Sequence, residues 1–240
     1  MRQIVYKSPQ SLRDISFQRK KTYICLREES LSQLSDIITK INHTTMNIRF
    51  TLFAAAAVFV SSCAQQPTTM KDAAKDRFLI GTALNEAQIR GIDTAGVRVV
   101  KEHFNAIVAE NCMKSQPIHP QRDRYNFDTA DRFVEFGLQN GITVTGHTLI
   151  WHSQLPRWFV YNDDGTLRSA EELKAIMKEH ISIVVGRYKG KVKGWDVVNE
   201  AIMEDGSYRR SPFYEILGEE FIPLAFQYAH EADPDAVYEK

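Results

Sequence analysis

The sequence predicts an α/β fold built on a parallel sheet. Short apolar runs recur along the chain, and each ends on polar residues. Helical patterns fill the stretches between them. Runs that are apolar throughout, rather than alternating, suit strands buried on both faces, as parallel strands are. Repeated strand–helix units with right-handed crossovers leave two architectures, a closed barrel or a doubly wound sheet. A third observation bears on that choice. The stretch GTALNEAQ after the first run has neither a GxGxxG nor a GxxxxGK[ST] pattern, which counts against a nucleotide-binding sheet.

The first run, Phe78–Asn85, reads FLIGTALN and leads into Glu86. A helix from Thr94 to about His103 follows. The second run, Ala106–Ala109, leads into Glu110, Asn111 and Lys114. The next helix, Asp128–Asn140, places Ala130, Phe133, Val134, Gly137 and Leu138 on one face, and Gly141 stops it. The third run, Ile142–His147, is rich in β-branched residues and continues into TLIWHSQLP. The helix Ser169–Tyr188 opens on a capping box, Ser169 with Glu172. Its apolar positions Leu173, Ile176, Met177, Ile181, Val184, Val185 and Tyr188 keep helical spacing, with His180 among them as a core-edge histidine. The fourth run holds Val197 and Val198 and ends on Asn199 and Glu200. Ser211 and Pro212 start the last helical region as N-cap and first residue. Glu219–Ala232 continues it until Asp233-Pro234, and Ala236-Val237-Tyr238 begins a fifth strand.

The polar run-ends carry the chemistry. In a parallel barrel, side chains at the carboxyl ends of strands form the active site. A carboxyl group there, such as Glu200, can be partly desolvated and act as a general acid. Amide, carboxylate and ammonium groups at the other run-ends suit a polyhydroxylated ligand. His147 and His152 do not make a metal site, because their spacing is not helical and no carboxylate completes a ligand set. No cofactor is implied. Trp158 and Trp195 are expected to pack at the barrel rim and in the core.

Thirty basic and thirty acidic residues balance, so no nucleic-acid or acidic-membrane partner is indicated. Met46–Cys63 reads MNIRFTLFAAAAVFVSSC, with a basic Arg49, an apolar stretch and small residues before Cys63. The apolar stretch is too short for a permanent membrane span. Val60-Ser61-Ser62-Cys63 resembles a bacterial lipobox, which would make Cys63 the lipidated first residue of the mature chain. An ordinary cleaved secretion signal is the alternative. The organisation expected is thus an upstream extension at 1–45, a lipoprotein signal at 46–62, a polar tether at 63–77 and the catalytic barrel region at 78–240. Residues 1–45 could instead be a genuine amphipathic segment. With Cys63 acylated and Cys25 removed, Cys112 has no disulfide partner. The protein would be exported and anchored to a membrane of the bacterial cell envelope through Cys63.

The segments AENCMK, GHTLIWHSQLP, GWDVVNEA and EDGSYRRSPFYEILGEEFIPLAFQYAHEADPDA resemble glycoside hydrolase family 10, the β-1,4-xylanases, from about Phe78 to Asp235. The resemblance implies a (β/α)8 barrel of TIM type, of which only about the first four βα units are present. It implies a retaining endo-1,4-β-xylanase acting on xylan or xylo-oligosaccharides. Glu200 then matches the general acid/base, and Asn199 matches its neighbour at the sugar 2-hydroxyl. His147 and Trp151 match the lining of the −1 sugar site, with Gln154 in the same loop. Glu110, Asn111 and Lys114 match contacts to the −2 sugar. Ser115 departs from the pattern, since the family usually carries Trp there.

The family's nucleophile, a Glu on a seventh strand, lies beyond Lys240, and a full barrel takes about 250 residues. Residues 63–240 alone are therefore expected to be inactive. Two alternatives remain at this level: a non-catalytic lipoprotein that binds xylo-oligosaccharides, and a different barrel glycosidase such as a cellulase or mannanase.

Overall fold

The computed structural model describes residues 3–7 and 69–239. The predicted signal at 46–62, Cys63, Cys25 and most of the 1–45 extension lie outside them. Six strands form one sheet, in the order β1 (Gln3–Lys7), β2 (Phe78–Leu84), β3 (Ala106–Ala109), β4 (Thr143–Ile150), β5 (Gly194–Val198) and β6 (Val237–Glu239). Strands β2 to β6 run parallel, each bonded to the next. A doubly wound sheet reverses its strand order at a switch point. Here the order never reverses, so the sheet is of the barrel kind.

Strand β1 pairs antiparallel along the outer edge of β2. No strand pattern was expected there. The pairing is made by the open edge of β2, whose unpaired N–H and C=O groups accept any extended segment that reaches them.

Helices α1 (Met70–Ala73), α2 (Glu86–Ile89), α3 (Thr94–His103), α4 (Ser115–Ile118), α5 (Asp128–Gln139), α6 (Ala170–Arg187), α7 (Pro212–Leu217) and α8 (Phe221–Ala232) complete the described chain. The capping box at Ser169 is formed: its hydroxyl accepts from the Glu172 N–H, and Glu172 accepts from the Ser169 N–H. Every apolar position predicted for α6 is buried, His180 included. Leu138 corrects the prediction for α5. It is 46% exposed, because the buried stripe of Ala130, Phe133, Val134 and Gly137 leaves it at the edge. The last helix begins at Phe221 rather than Glu219, after a 3-10 turn at Gly218–Glu220. Pro223 accounts for the start, since proline is tolerated in a first turn, where N–H groups have no helical partner.

Two glycines set the spacing of the layers. A Cβ on Gly137 would stand 2.2 Å from Val144 Cγ2, so α5 sits against β4 only because that side chain is missing. A Cβ on Gly146 would stand 2.1 Å from the Trp195 ring. The indole of Trp195, fully buried as expected, thus lies directly on the backbone of β4. Val144 and Trp195 mark the helix-facing side of their strands. Alternation puts Thr145 and His147 of β4, and Gly194 and Asp196 of β5, on the inner side.

Beneath α6 lies a pair of buried histidines. His119 Nδ1 and His180 Nδ1 are 3.2 Å apart, and His119 Nε2 is 3.0 Å from the Arg122 carbonyl. A neutral His119 must donate from Nε2 to that carbonyl, which leaves its Nδ1, facing His180, as an acceptor nitrogen. The His119 ring stacks on Tyr125 at 3.8 Å, and Phe159 stands edge-on to His180 at 5.2 Å. Burial first, then the neighbouring His119, push the His180 pKa down to about 3. Burial also lowers His119, against the bond to the Arg122 carbonyl and the pull of Glu179 and Asp123, and with the push of the Arg122 guanidinium.

As pH falls below about 6.5 the unfolded chain takes up the proton that the folded chain refuses. Stability is therefore lost from about pH 6.5 downward, by up to about 1.4 kcal/mol per pH unit for one such group. Urea unfolding between pH 6.5 and 5, above the carboxylate range, should lose stability more steeply in the wild type than in His180→Phe. Equal slopes would refute this account.

Candidate active site

The polar residues at the carboxyl ends of β3, β4 and β5 meet at one end of the sheet. Register does this. His147 pairs with Asp196 and Ile150 with Val198, with an irregularity between the two pairings. The predicted strand Ile142–His147 is thereby corrected to Thr143–Ile150, and the peptide bond after His147 is cis. The Asn199 N–H donates to the Ile150 carbonyl at 2.9 Å, which zips the two strands to their ends. Trp151 and Glu200 then leave adjacent strands side by side.

The Trp151 indole N–H donates to Glu200 Oε2 at 3.0 Å. His152 Nε2 stands 3.9 Å from the same oxygen. Glu200 is 47% exposed at its side chain, so the carboxyl group is open to a ligand while one oxygen is held. Its backbone lies in the left-handed region, at φ 55°. For an L-residue other than glycine this costs roughly 1–2 kcal/mol and persists only when neighbours hold it. The Arg209 Nε–H donates to the Glu200 carbonyl at 2.8 Å.

Lys114 lies below Trp151, its ammonium 4.8 Å from the ring centroid and 3.0 Å from Asn111 Oδ1. It is only 7% exposed. Burial lowers its pKa, and the carboxylates of Glu110 and Glu200 oppose that shift. Glu110 and Asn111 are exposed at the end of β3, where the Glu110 N–H still donates to the Leu84 carbonyl at 2.9 Å. His147 Nδ1 bonds Asp196 Oδ2 at 2.7 Å, which makes Nδ1 the protonated nitrogen and leaves Nε2 as the ring's remaining polar atom. The rings of His147 and Trp151 are 6.4 Å apart.

Lys114, Asn111, His147, Trp151 and Glu200 are thus drawn together. Glu110, Gln154 and Asn199 stand on the same loops, but among the described residues their side chains make no hydrogen bond. Gln154 has φ 46°, and its carbonyl accepts from the Gln116 N–H at 2.9 Å, tying this loop to the one after β3. Ser115 is buried, its hydroxyl donating to the Leu149 carbonyl at 3.1 Å, so it braces β4.

Glycosyl hydrolase family 10 matches residues 69–238 of this sequence. The chain belongs to that family. Among relatives, endo-1,4-beta-xylanase A of Xylanibacter ruminicola is 51% identical over 177 residues, which are 74% of this chain and 48% of that protein. The beta-1,4-xylanase of Dictyoglomus thermophilum is 47% identical over 170 residues, 70% of this chain and 46% of that one. A solved family 10 endoxylanase from a sugarcane soil metagenome superposes with a TM-score of 0.68 at 46% identity, covering 70% of this chain and 49% of its own. A psychrophilic family 10 endo-beta-1,4-xylanase gives 0.67 at 48%, covering 71% and 53%. The chain spans about half the length of the curated relatives it matches.

Three residues absent from the sequence reading as site members join this family 10 site: Asp196, His152 and Arg209. Asp196 was detectable, as a carboxylate alternating with Gly194 and Val198 on one face of a strand. The spacing of His152 from His147 raises only the question of a metal pair, whereas in the fold His152 faces the Glu200 carboxyl group. Burial first, then the charge of Arg209, lower its pKa. Arg209 gave no local signal, because its partner is a backbone carbonyl nine residues earlier.

Proposed function

We propose that this chain supplies the proton-donating and sugar-binding half of an endo-1,4-β-xylanase barrel acting on xylan or xylo-oligosaccharides. The observation that carries the reading is the Glu200 carboxyl group, exposed just beyond a strand end, with one oxygen held by the Trp151 indole. Relatives at 47–51% identity that bear the name xylanase support it. In this reading Glu200 protonates the glycosidic oxygen of the leaving sugar and later takes a proton from water. His147 Nε2 and Asn199 bond sugar hydroxyls next to the bond that breaks. The half-buried Trp151 ring offers its face to the apolar side of a pyranose. Lys114, Asn111 and Glu110 hold the next sugar outward, and Gln154 closes the loop beside it. Retention needs a second carboxyl group about 5–5.5 Å from the first. The family resemblance assigns it to a seventh strand, and the described parallel strands correspond to the first five.

The assay uses the chain completed by the carboxyl-terminal strands of a family 10 relative. Glu200→Gln should cut turnover of unactivated xylan by at least about 10²-fold, the lower range for a lost general acid. Aryl xylosides with good leaving groups should lose less in the first step, since they need little proton assistance. Equal loss on both substrates would remove Glu200 from the acid role.

In the same assay His147→Ala and Lys114→Ala should each lower kcat/KM on xylo-oligosaccharides by roughly 10-fold or more, the effect of losing one hydrogen bond at about 1.5–3 kcal/mol. Unchanged kinetics in both, with folding intact, would displace the proposed sugar sites.

The proposal extends to location. Val60-Ser61-Ser62-Cys63 after an apolar stretch supports export and a lipid anchor at Cys63 on a bacterial cell envelope, with residues 1–45 outside the mature protein. Mass spectrometry of the mature amino terminus should find an acylated Cys63. Any other first residue, or an unmodified cysteine, would end this part of the proposal.

A further inference from the structure

Glu200 sits in a backbone conformation it would not choose, and the chain beyond it is folded back on itself. After β5 the segment Ala201–Arg209 forms a small hairpin. Ile202 and Tyr208 make an antiparallel bridge, and the Met203 N–H donates to the Ser207 carbonyl at 2.8 Å. Asp205 Oδ1 closes the turn, accepting from the Ser207 N–H at 2.9 Å and from its hydroxyl at 2.6 Å. The Arg209 N–H donates to the Ala201 carbonyl at 2.7 Å, which returns the chain to its starting point. From there the Arg209 Nε–H reaches the Glu200 carbonyl at 2.8 Å.

We infer that Arg209 is a positioning residue: by gripping the Glu200 carbonyl across this hairpin, it holds Glu200 in the left-handed region and so aims its carboxyl group at Trp151. The physical link is the single α-carbon between the carbonyl and the side chain. Relative to the strand before it, φ at Glu200 places both Cβ and the carbonyl carbon, and ψ then turns the carbonyl oxygen, so a bond that fixes the carbonyl also restrains the φ that aims Cβ. A charged donor makes a stronger hydrogen bond than a neutral one, and a guanidinium holds its direction through its planar fork. Arg209 acts through the backbone, while the carboxyl group it aims is bonded on its far side by the Trp151 indole. Its charge also reaches His152, the other group facing that carboxyl. A surface arginine that merely satisfied a loop carbonyl would leave the side chain of Glu200 indifferent to its loss.

The inference rests on the acid/base reading only for the purpose of the carboxyl group, and its test involves neither sugar nor turnover. The full chain is labelled with ¹⁵N, and the indole N–H resonances of Trp151, Trp158 and Trp195 are followed by NMR. Glu200→Ala removes the acceptor and marks where the Trp151 signal stands without its bond. Arg209→Gln should move the Trp151 signal by at least half of that displacement, with the Trp158 and Trp195 signals in place. If Arg209→Gln does not fold, Arg209→Met replaces it, keeping the apolar stem while dropping every donor.

A Trp151 signal that stays at its wild-type position in the Arg209 variant overturns the inference. So does a uniform movement of all three indole signals, which would mark general loosening, or a Trp151 signal insensitive to Glu200→Ala. Only the insensitivity to Glu200→Ala also bears on the observation behind the acid/base reading; the Arg209 outcomes leave the xylan assay of Glu200→Gln untouched, so the two readings fail separately.

Discussion

The indole of Trp195 lying on the bare α-carbon of Gly146 is the contact on which the site depends. It lets β4 and β5 lie together with a large aromatic ring between the sheet and the helices behind it. That pairing aligns His147 with Asp196 and Ile150 with Val198. Everything that follows at the strand ends inherits this alignment. A slip of one residue would turn every side chain of the strand to the other face, and His147 would point into the helix layer.

The strand ends also explain why polar groups can stand so close together. Backbone bonding continues to the last residue of each strand, where the Glu110 and Asn199 N–H groups still donate to neighbouring carbonyls. The loops beyond are tied by side chains instead. Lys114 is buried against Trp151 and Asn111. Its burial disfavours the ammonium form, and the carboxylates of Glu110 and Glu200 oppose that effect. Lys114 is thus a buried charge supported by its neighbours rather than an isolated one, which burial would not tolerate.

Glu200 and Trp151 show a division of labour between rigid and local structure. The strands bring the two residues to adjacent ends, but the strands alone do not decide where the carboxyl group points. That is settled by a left-handed backbone at Glu200 and by the hairpin that returns Arg209 to it. The same hairpin contains Ile202 and Met203, both substantially exposed, so its stability comes from its own turn and bridge rather than from burial.

Much of this was legible in the sequence, because strands and helices declare themselves by local rules. The apolar runs, the capping box at Ser169 and the Ser211-Pro212 start all appear where periodicity and capping chemistry put them. Glu200, His147 and Lys114 could be singled out as polar residues at the ends of apolar runs or in the loops just beyond them, and Trp151 by the resemblance to family 10. Leu138 misled because its spacing fits a helical stripe whose width only the neighbouring sheet defines. The extension of β4 to Ile150 and the edge pairing of β1 depend on what a strand finds beside it, which no local pattern encodes. Asp196 and Arg209 reached the site by the same route. One bonds a side chain on the next strand, and the other bonds a carbonyl across a hairpin. The sequence by itself determined the apolar runs, the helices between them and the polar ends of the parallel strands, since those follow from spacing along the chain. The order of the sheet, the register of β4 on β5 and the direction of the Glu200 carboxyl were decided only by tertiary structure, because each is a relation between segments that meet only once the chain has folded.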